Sequence, residues 1–244
     1  MFKSVTEPGA IEHLRKKIDQ SILRPWQERA IEKSLAKIIT DGETIIPAEA
    51  VTGGGKTYFG VILAAKLLEL GRASRIVTLA PSVEIRDGWC SDISALGLSA
   101  SCELKAIGDV VAFSSTYQTA SGDASKGGTE NGARALLKLV DKNTVLVVDE
   151  CHHPERMEGW GVAVEELSKR AGYTIALTGT PWKTTGTVAL LDRFYDEDGK
   201  LDIDIRYTYM EDLAAEGDDR ATVPAHFIYF DSISVCKADK SRTE

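Results

Sequence analysis

The sequence is poor in cysteine, and its few cysteines are not grouped. They stand at four scattered positions without a Cys-x-x-Cys pair: Cys90, Cys102, Cys151 and Cys236. This spacing argues against a disulfide framework or a zinc knuckle and indicates reduced thiols. Residues 151–153 read Cys-His-His, but adjacent residues at a strand end point in different directions, and no second ligand pair is near in sequence. We therefore expect no zinc site.

Long apolar segments are also lacking. No run of about 18 or more apolar residues is present, which argues against a transmembrane helix. The first eight residues, Met-Phe-Lys-Ser-Val-Thr-Glu-Pro, have no continuous apolar core of the kind that a signal peptide needs. Hydrophobic residues make up 43% and charged residues 27%, as in ordinary globular proteins. We expect a cytoplasmic protein with no membrane partner.

Positive charge is in deficit, because 29 Lys and Arg residues face 37 Asp and Glu residues, for a net charge of −8. A protein that holds nucleic acid through bulk charge is normally basic. Backbone amides and helix N-termini can nevertheless hold phosphates without a basic patch. The composition weighs against a nucleic-acid partner and does not exclude one.

Predicted strands and helices alternate through most of the sequence. Apolar runs typical of strands lie at residues 44–50, 75–80, 109–116, 144–148 and 173–177. Helical periodicity covers residues 11–39, with an interruption at 23–25, and residues 58–70, 83–96, 133–140 and 162–170. Residues 121–131 are rich in Gly, Ser and Thr and are predicted to form a surface loop. The alternation predicts an α/β fold, a doubly wound and mainly parallel sheet covered on both faces.

The strongest motif lies at residues 50–57, which read Ala-Val-Thr-Gly-Gly-Gly-Lys-Thr between a predicted strand and a predicted helix. It fits a phosphate-binding loop, with Ala50 where the general pattern has glycine. Glycines let successive backbone N–H groups turn inward around a phosphate, and the following helix adds its positive N-terminus. Lys56 can reach the β- and γ-phosphates of ATP, and the Thr57 hydroxyl can ligate Mg²⁺. The residues expected to bind the nucleotide here are Thr52, Gly53, Gly54, Gly55, Lys56 and Thr57.

Two further motifs follow later strands. The apolar run at 145–148 ends in Asp149-Glu150, where Asp149 would hold Mg²⁺ and Glu150 would orient and activate the attacking water. Residues 177–182 read Leu-Thr-Gly-Thr-Pro-Trp, a weak signal by itself. Ligands in doubly wound folds bind at the carboxyl ends of the strands, so these motifs are expected to meet at one edge. The tryptophans are predicted to pack rather than to stack on bases: Trp89, Trp160 and Trp182.

The order of these three blocks resembles superfamily 2 helicases of the DEAD/DEAH type, in the branch shared with restriction-enzyme motor subunits. The resemblance implies a RecA-like P-loop NTPase domain that uses ATP and Mg²⁺, and Lys56, Asp149 and Glu150 would be catalytic. Residues 23–27, Leu-Arg-Pro-Trp-Gln, resemble the family's segment in which a glutamine reads adenine. Arg24 and Gln27 are therefore expected to contact the nucleotide.

Further blocks resemble those that contact nucleic acid in this family. Residues 78–89 and 115–118 carry this resemblance. It implies nucleic-acid contacts at four residues: Pro81, Ser82, Thr116 and Gln118. It also implies that three residues couple ATP hydrolysis to the grip on nucleic acid: His152, Thr178 and Thr180. The implied partner is nucleic acid, DNA more than RNA, with nuclease or specificity subunits as further partners.

The resemblance also implies a division of the chain. We expect an N-terminal helical extension at residues 1–22, a first RecA-like domain at 23–205, and a linker with the start of a second such domain at 206–244. In this family the second domain supplies arginines that stabilise the transition state. Too few residues follow Lys183 for that domain, so the chain is expected to be a fragment with slow hydrolysis and no duplex unwinding.

Two other functions stay open at the level of sequence. A P-loop kinase or other small-molecule phosphotransferase would need an acceptor site and a lid, and it does not predict the Thr-Gly-Thr block. A nucleotide-gated scaffold or regulatory module that partners a nuclease would retain every nucleotide motif. ATP would then change partner affinity without any movement along nucleic acid.

Overall fold

The computed structural model describes residues 9–122, 128–152, 158–180 and 190–215. The strands are β1 Ile45–Ala50, β2 Arg75–Ala80, β3 Ala100–Ser101, β4 Ala112–Thr116, β5 Thr144–Val148, β6 Tyr173–Thr178 and β7 Arg206–Tyr207. The α-helices are α1 Ala10–Asp19, α2 Pro25–Ile39, α3 Lys56–Glu69, α4 Val83–Ala95, α5 Tyr117–Ser121, α6 Glu130–Leu139, α7 Glu158–Arg170 and α8 Tyr209–Ala214.

The named strands form one parallel sheet in the order β3-β4-β2-β5-β6-β1-β7. Successive residues of a strand point to opposite faces, so Ile76 of β2 enters one hydrophobic cluster and Val77 the other. The first cluster includes apolar residues of α1 to α4, and the second those of α5 to α7. The predicted doubly wound, mainly parallel α/β fold is confirmed.

Some predicted boundaries were wrong. The strand predicted over 109–116 begins only at Ala112, because Leu104–Ala106 forms a 3₁₀ turn and Gly108 adopts a left-handed φ of 92°. The predicted loop over 121–131 is partly helical, because Thr129 caps α6 by accepting a hydrogen bond from Gly132 N at 3.0 Å. Residues 123–127 of that loop lie outside the described residues. The short helix α5 was not predicted.

Both predicted outer segments contact the central fold. Tyr207 of β7 pairs with Ala50 of β1, and its ring stacks on Trp26 with centroids 5.0 Å apart. At the other end, Arg15 of α1 forms an ion pair with Glu69 of α3 at 2.7 Å. The division into residues 1–22, 23–205 and 206–244 stays a prediction. In the part of the chain that the structure describes, no helix has the length and apolar character that a membrane span requires.

Candidate functional site

The three nucleotide motifs meet at one edge of the sheet. The phosphate loop follows β1, the Asp-Glu pair follows β5, and the Thr-Gly-Thr block begins at the end of β6, which lies between them. Pairing of Glu49 with Thr178 and of Val148 with Ala176 sets the level at which these strands end. The predicted meeting of the motifs at the carboxyl ends of the strands is confirmed.

The phosphate loop has a backbone that demands glycine. Gly53 and Gly55 adopt left-handed φ values of 79° and 91°, which side chains disfavour. A Cβ at Gly54 would lie 2.8 Å from the carbonyl oxygen of Val51, and one at Gly55 would lie 2.6 Å from Gln27 Nε2. Helix α3 begins directly afterwards, so its free N–H groups point towards the loop.

The start of α2 braces this loop. Three of its side chains donate to successive loop carbonyls: Arg24 Nη1 to Gly53 at 3.3 Å, Trp26 Nε1 to Gly54 at 2.9 Å and Gln27 Nε2 to Gly55 at 2.9 Å. Gln27 is 2% exposed, and its Oε1 accepts a hydrogen bond from Arg24 N at 2.8 Å. Both the oxygen and the nitrogen of the Gln27 amide are therefore hydrogen-bonded to backbone groups of the protein. Its contact with adenine stays a prediction.

Lys56 and Glu150 join the loop to the Asp-Glu pair. Lys56 Nζ lies 2.9 Å from Glu150 Oε1, and the N–H of Gly179 donates to Glu150 Oε2 at 3.0 Å. Burial acts to raise the pKa of Glu150, but the charge and hydrogen bond of Lys56 outweigh it, so the pKa is lowered and the carboxylate is charged. Glu150 has a φ of 50°, the only left-handed non-glycine residue among those described. The Lys56 side chain and the Gly179 backbone N–H thus meet at the Glu150 carboxylate, which joins all three motifs.

Asp149 is held from two directions. It is 4% exposed, and this burial raises the pKa of its carboxyl group. Trp89 Nε1 donates to Asp149 Oδ2 at 2.9 Å, and the Tyr117 hydroxyl donates to its backbone carbonyl at 2.5 Å. Trp89 was predicted to pack, and it is buried, yet sequence reasoning missed its hydrogen bond. The available signal was the rule that a buried indole N–H needs an acceptor.

The predicted coupling residues lie beside the Glu150 carboxylate. His152 Nδ1 is 2.9 Å from Thr178 Oγ1 and 3.5 Å from Glu150 Oε2. Thr178 Oγ1 also accepts a hydrogen bond from Thr180 N at 3.1 Å. A polar chain therefore runs from Glu150 through His152 to the Thr-Gly-Thr block. Trp182 lies outside the described residues, whereas Trp160 is buried and stacks on Tyr117.

The predicted nucleic-acid residues lie at the same edge, beyond β5. Ser82 caps α4 by accepting from Ile85 N at 3.4 Å, and Thr116 caps α5 by accepting from Thr119 N at 3.3 Å. Gln118 Nε2 donates to Pro81 O at 3.5 Å, which brings the two blocks together. The hydroxyl groups of both capping residues are thus used inside the protein.

Known proteins resemble this chain in sequence. A family model described as "Type III restriction enzyme, res subunit" matches residues 20–183. The uncharacterized protein ML1624 of Mycobacterium leprae (strain TN) is 27% identical over 206 residues, which are 80% of this chain and 32% of that protein. The uncharacterized protein Rv2917 of Mycobacterium tuberculosis (strain H37Rv) is 29% identical over 201 residues, 79% of this chain and 31% of that protein. The chain spans about a third of the length of these relatives.

Solved structures share the fold at low sequence identity. The Hef helicase domain of Pyrococcus furiosus has a TM-score of 0.52 at 18% identity, covering 73% of this chain and 36% of that one. The DUF1998 helicase MrfA bound to DNA and AMPPNP has a TM-score of 0.50 at 13% identity, covering 78% and 29%. These likenesses concern the fold, a RecA-like α/β domain. The match over residues 20–183 shows that the chain belongs to the family of type III restriction enzyme res subunits.

Proposed function

We propose that this chain is the ATP-binding motor domain of a superfamily 2 helicase or translocase. It couples Mg²⁺-dependent ATP hydrolysis to movement on nucleic acid, with DNA favoured over RNA. The observation that carries the proposal is the contact of Glu150 with both Lys56 and Gly179, at 2.9 and 3.0 Å. It unites three sequence blocks that are far apart in the chain.

The loop fits the phosphates of a nucleotide. Gly53, Gly54 and Gly55 carry no side chains, so backbone N–H groups of the loop can approach a ligand closely. Lys56 stands at the start of α3, and its side chain is only 11% exposed, which concentrates a positive charge beside that helix N-terminus. These features support binding of a nucleoside triphosphate by residues 52–57, with Arg24 and Gln27 bracing the loop.

The residues beside the loop fit Mg²⁺. Thr57 and Asp149 offer hydroxyl and carboxylate oxygens, the donors that this hard cation prefers. A cation would also favour the charged form of Asp149, whose burial otherwise opposes ionisation. When bound, Mg²⁺ neutralises charge on the phosphates. The protein orients Asp149 for this role through hydrogen bonds from Trp89 and Tyr117.

Glu150 suits the role of general base. Its lowered pKa keeps the carboxylate charged, and a charged carboxylate has a lone pair for the proton of the attacking water. The N–H of Gly179 fixes Oε2, while Lys56 holds Oε1. In this proposal Lys56 exchanges the carboxylate for phosphate oxygens as nucleotide binds, and that exchange frees Oε1 for the proton.

Coupling to nucleic acid is assigned to the polar chain beyond Glu150. His152 contacts both Glu150 and Thr178, so a movement of the Thr-Gly-Thr block changes the position of the proposed base, Glu150. Pro81, Ser82, Thr116 and Gln118 stand at the ends of the neighbouring strands and are proposed as the contacts with nucleic acid. Nuclease or specificity subunits are proposed partners of the longer protein.

The first experiment measures ATP turnover by this chain and by a longer protein that includes it. Each is assayed alone and with single-stranded DNA, duplex DNA and RNA. Lys56→Ala serves as the blank, and Lys66→Ala, which removes a lysine from the same helix away from the loop, serves as the matched control. We expect slow turnover by the chain, because the arginines that stabilise the transition state come from a second domain.

Stimulation of the longer protein by one polymer, lost in Lys56→Ala and kept in Lys66→Ala, would support the motor and identify its track. Indifference to every polymer, with ATP binding intact, would refute the motor. The nucleotide-gated scaffold would then be the better account. Robust duplex unwinding by the 244-residue chain alone would contradict the need for a second domain.

A further inference from the structure

Trp89 occupies a position that packing alone does not explain. It lies on α4 and is fully buried, between the sheet and α3. A Cβ at Gly60 of α3 would lie 2.8 Å from its Cη2 atom, so the helix approaches the indole as closely as a glycine allows. An indole nitrogen can only donate a hydrogen bond. Here it donates to Asp149 Oδ2 at 2.9 Å.

The second anchor of Asp149 comes from another element. Tyr117 of α5 is fully buried, donates its hydroxyl to the Asp149 carbonyl and stacks on Trp160 with centroids 5.5 Å apart. Trp89 therefore fixes the side chain of Asp149, and Tyr117 fixes its backbone. A residue tied at both places has little freedom to turn. That freedom would otherwise be lost when a ligand binds.

Both anchors belong to helices that begin at the proposed nucleic-acid contacts. Ser82 caps α4, and Trp89 lies about 10 Å further along that helix. Thr116 caps α5, and Tyr117 follows it directly. The proposed nucleic-acid blocks and the residue proposed to hold the metal are thus joined by hydrogen bonds inside this one domain.

We propose that Trp89 is a positioning residue for the metal: its indole N–H orients the carboxylate of Asp149 and links the α4 nucleic-acid block to the Mg²⁺ site. This inference rests on the proposed function, because it presumes that Asp149 serves Mg²⁺ bound with a nucleotide. It goes further by giving a defined role to a residue outside the nucleotide motifs. Tyr117 acts in the same direction through the backbone.

The test separates metal binding from nucleotide binding in the 244-residue chain. Trp89→Phe keeps an aromatic ring and removes the donor, and Tyr117→Phe removes the second donor. Ile93→Val is the matched control, because it trims a fully buried side chain of the same helix without touching Asp149. Affinity for a fluorescent ATP analogue is measured in EDTA and across a Mg²⁺ series, and Mn²⁺ binding with ADP present is followed by paramagnetic resonance.

Loss of the indole donor is expected to weaken Mn²⁺ binding, and to raise the Mg²⁺ concentration at half effect, by about 10-fold. Nucleotide affinity in EDTA should stay within about twofold of wild type, because the indole N–H is bonded to Asp149 and not to the loop. Tyr117→Phe should shift in the same direction and Ile93→Val should not. Metal binding by Trp89→Phe equal to that of wild type would overturn the inference and leave Trp89 as packing.

Two further measurements distinguish failure of this inference from failure of the proposed function. If Trp89→Phe does not fold, wild type labelled with ¹⁵N-tryptophan replaces it, and the Trp89 indole resonance is expected to shift when Mg²⁺ is added to the ADP complex. An unmoved resonance during saturating addition of Mg²⁺ overturns the inference. If wild type shows no Mg²⁺-dependent nucleotide affinity at all, the proposed function itself fails, and the inference falls with it.

Discussion

The nucleotide edge, where the three nucleotide motifs meet, and the proposed nucleic-acid blocks at residues 78–89 and 115–118 differ in how their side chains are used. At the nucleotide edge, Lys56, Glu150 and His152 reach across from one motif to the next, with contacts of 2.9 to 3.5 Å. At the nucleic-acid blocks, Ser82 and Thr116 satisfy the first turns of their own helices. The first region is built from contacts between motifs, whereas in the second the two capping hydroxyls make their contacts within one element and Gln118 joins the blocks through Pro81 O.

The two proposed sites are therefore prepared for their ligands in different ways. The nucleotide site is preorganised, because its charged groups already hold one another and its loop is braced by α2. In the proposed nucleic-acid blocks the capping hydroxyls are used inside the protein, so the backbone N–H groups at the helix starts are the groups proposed to hold phosphates.

The largest effect is expected from a methyl group in the loop. Gly55→Ala places a Cβ at a φ of 91° and 2.6 Å from Gln27 Nε2, whereas Gly42→Ala meets a similar φ of 73° with nothing within 4 Å. Left-handed strain costs roughly 1–2 kcal/mol in both variants. Crowding adds about 1–3 kcal/mol at Gly55 alone. Urea unfolding measures both, and equal losses would show that Gln27 yields and that the loop is not rigidly braced.

A smaller effect is expected at the start of α4. Ser82→Ala should cost about 1 kcal/mol of stability, because Ala cannot accept the hydrogen bond from Ile85 N. Ser82→Asp keeps a capping oxygen and should keep the stability, yet its charge should weaken nucleic-acid binding several-fold. Thr129→Ala, which removes the cap of α6, is the matched control for cap loss. Nucleic-acid affinity insensitive to Ser82→Asp would place the contact elsewhere.

The smallest effect concerns pH and a buried carboxyl on β1. Burial raises the pKa of Glu49, against the opposing charge of Arg206, which lies 3.1 Å away. The native state therefore keeps this proton to a higher pH than the unfolded state does. The contribution of Glu49 to the free energy of unfolding consequently falls as the pH rises above the pKa that Glu49 has in the unfolded state. Glu49→Gln cannot lose a proton. Its unfolding free energy, relative to wild type, should rise between about pH 4 and about pH 7, and a difference that stays flat would contradict the raised pKa.

Much of the nucleotide site was predictable because its requirements are local. A phosphate-binding loop is predicted by three glycines directly before Lys56-Thr57. A carboxylate pair is predicted by an apolar strand that ends in Asp149-Glu150. The family match over residues 20–183 agrees with the resemblance drawn from these blocks. The parallel alternation likewise predicted that the motifs share an edge, because all strands of such a sheet end on the same side.

The rest depends on contacts between distant elements. The hydrogen bond from Trp89 to Asp149 joins residues 60 positions apart, and burial patterns report that a side chain is inside without naming its partner. Gln27 could be assigned to the site but not to the two groups that occupy its amide. The pairing of β7 with β1 was also hidden, since a strand of two residues carries no periodicity.

That last pairing has a consequence for the synthesis of the protein. Val51 N, at the start of the phosphate loop, donates to the carbonyl oxygen of Tyr207 at 2.9 Å, and the Tyr207 ring covers Trp26. At about 5–20 residues per second, a ribosome that has made Val51 needs roughly 8–30 seconds to reach Tyr207. During that interval the phosphate loop lacks the contacts that Tyr207 makes with Val51 and Trp26. Nucleotide can therefore stabilise the loop with these contacts in a nascent chain only after Tyr207 has been made.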